Sequence, residues 1–174
     1  DLLAARLATL GAAYGDLPAH DGLWQAAQDT AADLLARLAV VPLVLEALGL
    51  DVTPTMIERL EAAGDNESAA VLRVIYRDEI GHVTTGKRWF DHLAAARGLA
   101  PEAAWQAAVR KHFKGALKPP FNTEARGAAD FPESFYGPLA ALATGEKERA
   151  CRPQTTARAT GAWPWACFSS PRRC

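Results

Sequence analysis

Glu79 and His82 stand three residues apart within VLRVIYRDEIGHVTTGKRWFDHL, residues 71–93. On a helix this spacing sets a carboxylate and an imidazole on one face, about one turn apart. Leu72, Tyr76, Glu79, Val83, Gly86, Phe90 and Leu93 recur at alternating four- and three-residue steps, which marks an apolar helical stripe. At about 100° per residue, Arg73, Arg77, Thr84, Arg88 and Asp91 fall on the far side. Two ionisable groups therefore occupy positions where leucine is the less costly choice. A buried charge without a partner costs several kcal/mol, so the pair requires partners. A divalent metal is one candidate and a closed polar network is the other.

A third group of the same type is Glu46. The pattern from Leu23 to about Leu48 is helical, with Asp21 or Gly22 near its cap. On one continuous helix Trp24, Leu35, Ala39 and Pro42 lie within about 40° of Glu46, while Thr30, Asp33 and Arg37 point the other way. Pro42 removes a backbone donor and crowds the carbonyl of Leu38, predicting a kink one turn before Glu46. Either Glu46 faces the core there, or the helix frays and releases it to solvent. Asp51-Val-Thr-Pro reads as a fresh start, with Thr53 as cap and Pro54 in the first turn of a short helix that ends at Gly64. That short helix is expected to carry the chain back over an overhang of roughly 15–20 Å and bring Glu46 level with Glu79.

The other elements follow from periodicity and breakers. Leu3, Leu7 and Leu10 mark the end of a helix closed by Gly11, and residues 11–22 are a loop. The central helix runs from near Asn66 to Arg97-Gly98. Pro101 and Glu102 open another, with Ala104, Trp105, Ala108, Phe113 and Leu117 on its apolar side, broken by Lys118-Pro-Pro-Phe-Asn. Thr123–Ala143 reads as one or two short helices covering a bundle end.

The 174 residues are 49% hydrophobic, rich in alanine and leucine and poor in β-branched runs, which predicts an all-α domain over residues 1–143. No stretch reaches the ~20 apolar residues of a membrane span, and the N-terminus has no signal-peptide pattern, so the expected location is cytoplasmic, with no membrane partner. Residues 145–174 hold six Lys/Arg and two Asp/Glu, leaving 13 basic and 18 acidic residues before them. That acidic balance gives no footprint for nucleic acid. Residues 144–174 carry Cys151, Cys167, Cys174, Trp163 and Trp165 without periodicity. This tail reads as a disordered or non-native end, or else as a basic aromatic segment for RNA or a protein partner. The single methionine, Met56, and the start at Asp1 lead us to expect a fragment.

VVPLVLEALGLDVTPTMIERLEAAGD, VIYRDEIGHVTTGKRWFDHL and KPPFNTEAR, in this order, resemble the blocks of a bacterial ferritin-like family of unknown function, domain of unknown function 455. The resemblance covers about residues 1–143. It implies the second half of a ferritin-like four-helix bundle plus short C-terminal helices, with Glu46, Glu79 and His82 matching the second-half metal ligands of a di-iron or di-manganese centre. In such bundles two helices each give Glu-x-x-His and two each give a single Glu. By the same resemblance an earlier helix with its Glu, and most of the next with its Glu-x-x-His, belong before Asp1. Leu48 stands where the family has an arginine, which removes a cation near a carboxylate. Three ligands are half a set, so a homodimer that completes the bundle is an expected partner.

The intact form is expected to be an oxidoreductase that uses the metal pair and dioxygen. A helical module without catalysis is the alternative, as is an RNA-modifying hydroxylase by distant analogy. Tyr76, one turn before Glu79, reads as a redox tyrosine or a core tyrosine, and His20, His92 and His112 as surface residues.

Overall fold

The computed structural model describes residues 2–140. The cysteines Cys151, Cys167 and Cys174, with Trp163, Trp165 and the expected boundary near residue 143, lie outside the described residues. Within them the chain is all-helical and holds no strand. Helix α1 spans Leu2–Thr9 and α2 spans Gly22–Asp29. One long helical rod follows, made of α3 (Leu34–Val40), a π-helical segment (Val41–Glu46) and α4 (Ala47–Ala62). Then come α5 (Asn66–Ala96), α6 (Pro101–His112), α7 (Thr123–Ala128) and a helical stretch over 133–140.

The expected helix from Leu23 to Leu48 is divided. The Thr30 hydroxyl donates to the Ala26 carbonyl at 2.7 Å, and the Asp33 side chain accepts from the Leu35 amide at 3.1 Å. Short polar side chains that bond to nearby backbone end one helix and cap the next. The projection from Glu46 back to Trp24 therefore fails, and Trp24 is 67% exposed.

Pro54, conversely, starts nothing: it sits inside α4. A proline cannot donate to the carbonyl four residues earlier, here that of Leu50. The Asn122 side-chain amide donates to that carbonyl instead, at 3.1 Å, so the helix continues through the proline. The chain reverses only at Ala63–Asp65, where Gly64 takes φ +80°. Glu46 stands 18 residues before Gly64 and Glu79 15 residues after it, so both lie roughly 25 Å from the turn at about 1.5 Å per residue. No returning helix is needed to level them.

Where a kink is expected after Pro42, the chain takes a π-helical turn. Here α5 crosses the rod closely. A Cβ built on Gly86 would come 2.4 Å from Pro42 Cβ, so only glycine fits. The Trp105 indole of α6 donates to the Ala39 carbonyl at 3.1 Å, one turn before Pro42. The start of α5 is fixed by Asp65, whose side chain accepts from the Ser68 amide at 3.0 Å. Arg6 of α1 bonds to Asp65, Glu67 and Ser68.

The core joins Leu35, Leu43, Ala47 and Leu50 of the rod with Val83 and Phe90 of α5, Trp105 of α6 and the rings of Phe131, Phe135 and Tyr136. Asp91, expected on the far side, is half-buried and pairs with the buried Lys87, whose ammonium lies 4.4 Å from the centre of the Phe135 ring. The segment 133–140 covers that flank of α5, which the stripe alone leaves to solvent.

Candidate metal centre

Glu46 is the last residue of the π-helical turn; Glu79 and His82 lie midway along α5. Each of the three offers one ligand atom, and these atoms lie within 4.8 Å of one another. The helix does not fray at Glu46, which is half-buried. His82 Nδ1 is 3.2 Å from Glu79 Oε2, and the two side chains are 62% and 19% exposed, so Glu79 forms the inner edge of the cluster and His82 the outer. Gly49, one turn after Glu46, faces the Glu79 side chain: a Cβ there would lie 3.6 Å from Glu79 Cγ, at ordinary contact distance. All three donors predicted from sequence are brought together.

The electrostatics are those of an acidic pair whose one basic neighbour is His82. Burial pushes the Glu46 carboxyl above the usual glutamate range, the Glu79 carboxylate pushes it further, and His82 opposes them. Among the described residues no lysine or arginine forms an ion pair with Glu46 or Glu79. Two carboxylates and an imidazole suit a divalent first-row ion, and three protein donors leave coordination positions open.

Tyr76 is a core residue by its contacts. Its hydroxyl accepts from Asn122 Nδ2 at 2.9 Å, and the ring packs against the buried cluster. His20 and His92 are exposed, while His112 is half-buried and lines a cleft of about 480 Å³ with His20, Leu45, Leu48 and Phe113. Leu48 thus faces this cleft. The cation for the adjacent Asp51 comes from elsewhere: Arg126 Nε and Nη2 donate to Asp51 Oδ1 and Oδ2 at 2.9 and 2.6 Å, both side chains being nearly fully buried. Sequence reasoning missed this pair, because its members are 75 residues apart. The available signal was an arginine in the otherwise helix-breaking segment KPPFNTEAR.

Comparison with known proteins places the chain in a family. Residues 1–137 match the family model described as "Protein of unknown function (DUF455)". The chain belongs to this family. A relative from Haemophilus influenzae, described only as an uncharacterized protein, is 43% identical over 136 residues, which cover 76% of this chain and 46% of the relative. The chain thus spans about half the length of that relative. No solved structure matches.

Proposed function

We propose that this DUF455 chain is the second half of a ferritin-like, divalent-metal carboxylate protein, with Glu46, Glu79 and His82 as its ligands. The observation that carries the reading is the convergence, within 4.8 Å, of three metal-type donors from two helices that meet at their middles. The absence of a paired lysine or arginine among the described residues adds to it, since an ion is then the available counter-charge.

When bound, a pair of iron or manganese ions would supply dioxygen chemistry, making the intact protein an oxidoreductase. The residues of this chain do the holding. Glu79 is carried by the middle of α5, facing Gly49 of the rod. Glu46 is aimed by the π-helical turn, and His82 closes the solvent side. The intact protein's substrate and reaction belong to the half that this chain lacks as much as to this one.

Metal analysis of the purified protein beside Glu79→Ala tests the reading. Iron or manganese in the parent, absent from the variant, is the expected result. Equal metal content and equal thermal stability in both would remove it. A second reading, a non-catalytic helical module, is favoured by the Glu79–His82 contact at 3.2 Å, which gives both side chains a partner without any ion. It predicts that Glu79→Ala lowers stability and leaves the metal content unchanged at zero.

A further inference from the structure

The cluster lies at the border between a covered and an open side of the α4–α5 pair. Turning one way round α4 from Glu46, Leu50 and Ala47, at about 40° and 100°, are both fully buried. Turning the same way round α5 from Glu79, Val83 and Lys87, at about 40° and 80°, are buried too. Turning the other way, Met56 and Val52 lie at about 80° and 120° from Glu46, and His82 and Trp89 at about 60° and 80° from Glu79. Met56, Val52 and Trp89 are each half-exposed. Because the two helices are antiparallel, these two turns point to the same side of the pair. That side holds the outer donor of the cluster flanked by large apolar side chains, with no described element packed over them.

We infer that this open side is a self-association surface, in which a second copy of the chain joins through a shared metal site. The inference rests on the metal reading above and names its partner. A two-fold axis passing beside the cluster converts one Glu and one Glu-x-x-His into two of each, the full donor set for two ions. An isologous contact also sets the Met56, Val52 and Trp89 side of one copy against the same side of the other, which buries apolar surface on both partners.

Charge decides the condition for assembly. Two copies bring four glutamates to one place, and like charges at such distances repel. Divalent cations reverse the sign. Association is therefore metal-dependent, and the chain without metal is a monomer.

The test is light scattering coupled to size exclusion on the full 174-residue chain, with manganese(II) chloride or with EDTA, and with bound manganese counted in each peak. The expected result is a shift from the 18.6 kDa monomer in EDTA to a dimer in manganese, with about one ion per chain. Met56→Arg should keep the helical circular dichroism and hold the protein monomeric in manganese; Val52→Arg serves if Met56→Arg loses helix. A monomer that binds manganese overturns the second-copy inference and leaves the metal reading standing. A dimer indifferent to both EDTA and Met56→Arg overturns it as well, because another surface is then responsible. A chain that binds no manganese removes the metal reading and this inference with it.

Discussion

Glu46 bears the electrostatic cost of the site. Its carboxyl is raised by burial and by Glu79, so the folded chain holds that proton more tightly than the unfolded chain does. Stability is then unaffected below the ordinary glutamate range and falls as pH rises through the interval up to the raised value. Glu46→Gln removes the penalty. In chelator-treated protein it should raise the melting temperature at neutral pH and leave it nearly unchanged at a pH below the glutamate range; the same variant should bind manganese poorly. Differential scanning fluorimetry at the two pH values checks the first part, and equal shifts at both would show that charge is not the cause. Glu79 and His82 were legible in the sequence because three-residue spacing on a helix is a purely local property. Glu46 was legible as core-facing, although Trp24, used to orient it, lies beyond a helix break and faces solvent. Pro42 and Glu79 supply the orientation that Trp24 does not.

Among the elements, the crossing of α5 over the π-helical turn sets the distance between the donors, and two glycines of α5 report on it. A Cβ on Gly86 would lie 2.4 Å from Pro42 Cβ, whereas one on Gly81 meets nothing within 4 Å. Alanine gains up to about 1 kcal/mol over glycine from helix propensity alone. Gly81→Ala should therefore stabilise by about 0.5–1 kcal/mol, while Gly86→Ala should destabilise by roughly 1–3 kcal/mol through overpacking; urea unfolding measures both. Like signs for the two would contradict the close crossing.

Asn122 gives a second test. It donates to the Leu50 carbonyl that Pro54 leaves free and to the Tyr76 hydroxyl, and its oxygen accepts from the Ala125 amide. Asn122→Ala should cost about 1–3 kcal/mol and cost less in a Pro54→Ala background, where alanine restores the helical donor. The central helix, expected from Asn66 to Arg97, was legible within a residue or two because its stripe and caps are local. The break at Thr30 and the continuity through Pro54 were not. The first is settled by side-chain bonds to backbone that compete with the helix, the second by an asparagine 72 residues downstream of the carbonyl it serves.

At the scale of the molecule, an alanine- and leucine-rich composition with 3.6-residue stripes was enough to predict an all-helical chain. It could not predict the covering of the far flank of α5, because Asp91 reads as solvent-facing until the segment 133–140 is placed beside its partner Lys87. Nor could it join KPPFNTEAR to Asp51, a bond that closes α7 onto the rod. No helix among the described residues is long and apolar enough to cross a membrane. Half of a longer relative's length, with three donors gathered at the border of its open side, is the picture that the metal reading must explain. Equilibrium dialysis against manganese(II) at neutral pH tests it most directly, run on the parent chain and on Glu46→Ala, Glu79→Ala and His82→Ala. The prediction is about one ion per chain for the parent and a loss of at least tenfold in affinity for each variant. Binding that is absent in the parent, or unchanged by all three substitutions, would contradict it.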